Sequence, residues 1–282
     1  MKREDFELLG AKHKAFEAAT EQCLEPGKPV VARLDGRSFS VFTRGLERPY
    51  DARFARCMQE TAAYLVEQTQ AVVAYRQSDE ITLVWPNQDP TKKFMFDGRV
   101  VKMATILAAM TSVRFNQLLA LELPDYAAKS PLFDARVFQY PTLALAAENL
   151  LWRETDAMRN SVTNLAHEHF GHRAMHAVGV EAKLARLREA GRPWEGMPEV
   201  YRRGVYLRRE TVLKSLNPEE LARIPERHRP AGPVERTVVR PFDLPLLEQV
   251  ANLEEVLFAG VAPIGREEGS QEKMLASVAL LL

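Results

Sequence analysis

"VVARLDGRSF", residues 30–39, ends an apolar run on Asp35, Gly36 and Arg37, and "AVVAYRQSDEITLVW", residues 71–85, breaks a second one at Ser78, Asp79 and Glu80. Alone, each is as readily an ordinary polar turn as part of a site. The elements around them decide. "GKPVVARLDG" reads as a strand entered through Gly27 and Pro29. Asp51 stands as an N-cap before Phe54, Met58, Thr61 and Leu65 at helical spacing. Residues 71–76 and 80–85 are β-rich runs a few polar residues apart, hence a hairpin. Val100, Met103, Leu107, Met110 and Val113 recur on one face of a second helix, which Asp97 is placed to cap. "FDARVFQYP", residues 133–141, is a fourth strand closed by a proline.

Strand, helix, strand, strand, helix, strand is the βαββαβ order of a ferredoxin-like fold of the α+β class. In that topology the third strand lies between the first and second, antiparallel to both. The end of the first therefore meets the start of the third, and Asp35 and Asp79 become neighbours. Residues 5–22 read as a helix bearing Phe6, Leu9 and Phe16, and residues 143–190 as mostly helical. "MPEVYRRGVYLRRETVL", residues 197–213, reads as a strand or hairpin, and residues 215–235 are rich in proline and charge. With no internal repeat or low-complexity linker, the expected organisation is a core over 1–145, carrying the N-terminal helix. A lobe of helices and hairpin over 146–282 packs on it as one structural unit.

The 282 residues are 46% hydrophobic and 27% charged, which suits a globular chain. Lysine plus arginine and aspartate plus glutamate number 38 each, so the global charge favours no partner. Residues 183–240 carry 14 basic against 8 acidic residues, a local excess suited to nucleic acid. Cys23 and Cys57 have no ligand-like spacing and fit a reducing cytoplasm. "MKREDFELLG" lacks the apolar core of a signal peptide, and no run approaches the length that spans a bilayer. The expectation is a cytoplasmic protein without membrane contact, its C-terminal "ASVALLL" packed on the core.

Two converging carboxylates are costly unless something positive lies between them. Magnesium fits, since it takes oxygen ligands, keeps waters and is shared with substrate phosphates. A pair of such ions about 4 Å apart activates an attacking oxygen and stabilises a leaving one. Gly36, without a side chain, exposes its carbonyl and admits a phosphate. Arg99 and Lys102, in the first turn of the second helix, oppose its dipole. They suit either a bound triphosphate tail or plain solvation. In "LWRETDAMRNSVTN", residues 151–164, Arg153, Asn160, Ser161 and Asn164 offer contacts to phosphate, sugar or base, or form an ordinary polar helix face. His169, His172 and His176 would share a helical face, but Gly171 interrupts the run and no cysteine supports a zinc site.

"RLDGRSF", "YRQSDE", "FDARVFQYP", "LWRETDAMRNSVTN" and "YRRGVY" occur in an order that resembles the tRNA-histidine guanylyltransferases and their like-proteins, over about residues 5 to 245. The resemblance implies a polymerase-type palm that extends RNA in the 3′-to-5′ direction. The RNA 5′-monophosphate is activated with ATP, the 3′-hydroxyl of GTP attacks it, and pyrophosphate is then removed. It implies that Asp35 and Asp79 hold both magnesium ions with the Gly36 carbonyl. Asp35, Gly36, Arg37, Ser38, Phe39 and Ser40, with Ser78 and Asp79, would cradle the nucleotide. Arg33, Arg48, Arg99 and Lys102 fall where the family binds phosphates, and a homotetramer is expected. Met158 stands where the tRNA-histidine enzymes carry a histidine, and Ser161 replaces the second of paired asparagines, which removes the ground for tRNA-histidine selectivity. The expected function is a magnesium-dependent nucleotidyltransferase acting on the 5′ end of tRNA or tRNA-like RNA. A palm-type cyclase or oligonucleotide synthetase using free nucleotides, and an RNA-binding protein with a degenerate site, are the alternatives.

Overall fold

The computed structural model describes residues 2–266. Six strands make one sheet: β1 (Val30–Gly36), β2 (Val73–Gln77), β3 (Glu80–Trp85), β4 (Phe133–Gln139), β5 (Val205–Lys214) and β6 (Val234–Pro241). Their order is β4-β1-β3-β2-β5-β6, each neighbour antiparallel. The first four strands have the ferredoxin-like arrangement expected, and the β5–β6 hairpin extends the sheet beyond β2.

Helices flank the sheet and its loops. The first, α1 (Arg3–Ala18), precedes β1, and the single turn α2 (Phe39–Phe42) follows it. The helices α3 (Ala52–Thr69) and α4 (Val100–Glu122) cover one face, and α5 (Leu143–Phe170) the other. Both faces are thus buried, which is why the strands read as continuous apolar runs. Ala32 and Leu34 enter the α3–α4 core with Met58, Leu65, Met103, Leu107 and Phe115. Val31, between them, faces α5 with Val84, Ala146 and Leu150. Asp51 caps α3 by accepting from the Arg53 and Phe54 backbone N–H groups. Burial works against its charge. The Arg53 guanidinium and the surrounding N–H donors outweigh that and hold the carboxyl below its ordinary pKa.

Several expectations change. The first helix stops at Ala18 and buries no residue; Phe6 and Phe16 are 62% and 69% exposed. Asp97 does not cap α4. It sits in a turn at φ 55°, and the Val100 N–H is satisfied by the Gln22 carbonyl at 2.8 Å. Contrary to the composition reading, α4 is long and apolar enough to cross a membrane, with mean hydropathy 1.2. Its Met103, Leu107, Phe115 and Leu119 are fully buried in the palm core. The helical stretch 143–190 is broken at Gly171 (φ 83°), followed by α6 (His172–Met175) and α7 (Val180–Glu189). A boundary at 145/146 therefore falls in the first turn of α5. "ASVALLL" lies outside the described residues.

Candidate active site

Register places the carboxylates. Asp35 stands opposite Glu80 on β3 and opposite Asp134 on β4. Directly opposed residues share a face, and alternation puts these three on the α5 side. Gln77 pairs with Glu80, so Ser78 and Asp79 form the two-residue turn of the β2–β3 hairpin at the same end. Ser78 takes φ 46° there. One step back along the strands lies a basic pair, Arg33 opposite Arg136. An acidic row thus crosses the end of the sheet with a basic row behind it.

The charges in this row are poorly compensated. Glu80 lies 3.6 Å from Arg33 Nε and 3.4 Å from Arg153 Nε, yet its buried Oε1 makes no hydrogen bond. Burial pushes the Glu80 carboxyl up to about 7 against the pull of Arg153 and Arg33. Burial, reinforced by the charge of Asp35, pushes Asp79 up to about 6. Such a hydrogen-bond-poor oxygen set suits a hard cation, and magnesium needs one or two carboxylates with the rest supplied by water and phosphate. Among the described residues no group of three or more His, Cys, Asp and Glu closes a cage by itself. The donor chemistry fits magnesium rather than a zinc centre.

Beside the hairpin turn opens a cavity of about 730 Å³. Ser40 and Arg48, Ser78 and Asp79, and Asn160 and Asn164 of α5 contribute to its walls, with His167, His172 and Tyr201. Nine of the candidate site residues of the sequence thus meet here, Phe39 and Ser161 included. Gly171 ends α5 and turns His172 back, so the histidines do not share one helical face; the rings of His167 and His172 lie 4.1 Å apart.

Phe39 borders the cavity, but its ring is 3% exposed and packs among Phe42, Phe54, Phe115 and Phe133, so it serves the core first. Other expected site residues lie elsewhere. Gly36 lies beneath the Phe39 ring: a Cβ there would sit 2.3 Å from it. Arg37 and Ser38 are exposed in the turn between β1 and α2. Arg33 and Arg153 flank Glu80 instead of standing free for RNA. Arg99 and Lys102 are at the far end of the sheet, because α4 starts where β1 starts. Arg99 bridges Cys23, and neighbouring Glu25 bonds Gln139, which is opposite Val30. Five residues of strand separate Val30 from Asp35, about 17 Å. Within one chain these two cations do not share a triphosphate with the carboxylates.

Two of the sequence motifs prove to be partners. The α5 residue Glu154 accepts from Arg203 Nε at 2.8 Å and from the Leu247 N–H at 2.8 Å. Ser161 Oγ accepts from Trp194 Nε1 at 2.9 Å, while Tyr201 donates to the Ser161 carbonyl at 2.8 Å. Gly204 (φ 79°) fits against the Arg76 carbonyl, which a Cβ would approach to 2.5 Å. "YRRGVY" is thus a dock that holds α5 and the β5–β6 hairpin against the palm. In sequence Glu80 reads only as part of a turn, and no local pattern marks Asp134 or Arg76; strand register, not composition, exposes the first two.

Comparison with known proteins agrees with this construction. A family profile described as tRNAHis guanylyltransferase (Thg1) matches residues 10–141. An uncharacterised protein of Acanthamoeba polyphaga mimivirus is 31% identical over 229 residues, 73% of this chain and 78% of that protein. The tRNA(His) guanylyltransferase of Debaryomyces hansenii is 30% identical over 157 residues, 54% of this chain and 57% of that enzyme. A solved bacterial tRNA(HIS) guanylyltransferase (Thg1)-like protein in complex with ATP superposes with TM-score 0.68 at 28% identity, covering 72% of this chain and 87% of that one. The fold and its acidic strand ends define a palm-type nucleotidyltransferase. The chain belongs to the tRNA(His) guanylyltransferase (Thg1) family.

Proposed function

We propose that this protein is a magnesium-dependent enzyme that adds nucleotides to the 5′ end of tRNA or tRNA-like RNA, in the 3′-to-5′ direction. The carrying observation is that Asp79, whose turn shares one end of the sheet with Asp35 and Glu80, lines a cavity large enough for a nucleotide together with Asn160 and Asn164. Asp35, Asp79 and the Gly36 carbonyl would hold magnesium, which supplies charge at the attacking and leaving oxygens. Glu80 stays outside that set and keeps Arg33 and Arg153 in place. Ser40, Ser78 and Arg48 would meet the nucleotide at the cavity mouth. The amides of Asn160 and Asn164 would orient the RNA end. ATP and GTP as substrates follow from the family and from the ATP complex of the bacterial relative.

The same reading includes a homotetramer in the cytoplasm. Exposed Phe6, Leu8, Leu9 and Phe16 of α1 are apolar surface that such an assembly would cover. Light scattering of the purified protein, with and without residues 1–20, tests it. The test of function is incubation with labelled GTP, ATP and magnesium, with a tRNA lacking its first nucleotide and without RNA. Label on the RNA supports the proposal. Product formed equally without RNA would favour the free-nucleotide cyclase or synthetase and overturn it.

A further inference from the structure

We propose that Arg76 is the anion-binding residue of the 730 Å³ cavity, and that it takes a substrate phosphate there. On β2 it follows Ala74 in alternation and stands opposite Ile81, so its side chain points to the α3 side of the sheet, towards Tyr50. It lines the cavity at the foot of the Ser78–Asp79 turn. It is 2% exposed, and neither Nε nor Nη2 has a hydrogen-bond partner. Among the described residues it forms no ion pair. Glu47, Asp51, Asp79 and Glu168 also line the cavity, but none of them pairs with Arg76, and Glu47 lies 4.0 Å from Arg53. Asp51 serves Arg53 and the start of α3, and Glu80 faces the opposite side of the sheet with Arg33 and Arg153. Burial lowers the Arg76 pKa to about 10, which still leaves it charged at neutral pH.

A buried guanidinium without a counter-charge destabilises the empty protein, and the geometry supplies the missing partner from outside. Asn160, Asn164, His167 and His172 line the same cavity and offer further donors. A phosphate entering there would be held by a charge-assisted fork from Arg76 and by the donors of these side chains. No carboxylate ligand of the acidic row needs to move. Its backbone is fixed too, because the Arg76 carbonyl packs on Gly204, where a side chain would not fit. Two sources carry this chemistry: the polyphosphate of a nucleotide, and the 5′-phosphate of the RNA. That the phosphate belongs to a substrate of nucleotide addition rests on the function proposed above, whereas the anion site itself does not.

The test uses the full chain and two binding arms, neither of which needs turnover. One is calorimetric titration with tripolyphosphate. The other compares a truncated tRNA bearing a 5′-phosphate with the same RNA bearing a 5′-hydroxyl. Arg76→Met and Arg76→Gln are expected to lose at least tenfold in one arm. The arm that responds identifies the source. Because each variant removes an unpaired buried charge, each is expected to melt at or above the wild-type temperature without ligand. Wild-type affinity in both arms, or a variant that melts lower than wild type, overturns the proposal. If the wild-type protein binds phosphate through Arg76 yet never extends RNA, the functional reading fails and the anion site stands.

Discussion

Arg33 of β1 reaches across to Glu80 of β3 at 3.6 Å, although its own strand carries Asp35 two residues on. Arg153 approaches Glu80 from the other side at 3.4 Å. Two cations are thereby drawn to one carboxylate. Asp35 has no cationic partner among the described residues, and its charge acts on Asp79. This division of charge supports the proposed cation site at Asp35 and Asp79, with Glu80 as its support.

Asp35→Asn and Asp79→Asn should therefore each reduce nucleotide addition more than a hundredfold while RNA affinity stays within about threefold, since RNA binding rests on basic contacts to phosphate. Single-turnover rates and filter binding measure the two. Retention of a tenth of the normal rate by either variant would sink the metal-ligand assignment.

The raised carboxyl pKa values make the metal-free protein sensitive to pH. Asp79 at about 6 and Glu80 at about 7 bind protons more tightly folded than unfolded. Their contribution is favourable at the acid end and is lost as pH rises through these values. Melting temperature without metal should fall between pH 5 and pH 7.5 by more in the wild type than in Asp79→Asn. Magnesium should recover the difference at pH 7.5. Parallel pH profiles for the two proteins would contradict this account.

Gly36→Ala places a methyl group into the Phe39 ring, which is locked among four other aromatic rings. Overpacking of this kind costs about 1–3 kcal/mol. Chemical denaturation should show a loss in that range, and activity should fall with it because the ring cannot shift without moving α2. Unchanged stability would mean that the turn relaxes freely.

Breaking the Glu154–Arg203 pair leaves one charge buried, since the two side chains are 2% and 9% exposed. Arg203→Met should cost about 3–5 kcal/mol, and Glu154→Gln combined with it should recover part of that loss. Urea titrations of the single and double variants decide. Additive losses would show that the two residues do not act together.

Met158 lies against the cluster formed by Val162, Leu165, Leu187 and Trp194. A thioether packed there donates no hydrogen bond to a base or phosphate. Truncated tRNAs of different identity should be extended with kcat/KM values within about tenfold of one another, or 1.4 kcal/mol. A hundredfold preference for tRNA-histidine would place selectivity in other residues.

The sequence by itself determined the ferredoxin-like core and the end of the sheet where Asp35 and Asp79 meet. Apolar runs such as Val30–Leu34 are strands because both their faces are buried, and Asp35 and Asp79 stop those runs at positions the βαββαβ order brings together. Local patterning carries that information, since helix and strand periods are written in consecutive residues. Which polar residues were free, and which were already paired, was decided only by tertiary structure. Arg153 reads in sequence as a contact for RNA and Arg203 only as part of a basic stretch, yet each is held by a carboxylate from another element. Arg99 and Lys102 sit at the end of the sheet away from Asp35 because α4 runs back along the strands. Arg76 is the converse: an unremarkable residue in a strand whose partners, by chain path alone, do not arrive. Long-range ion pairing depends on where distant segments of chain cross, and no local period records that.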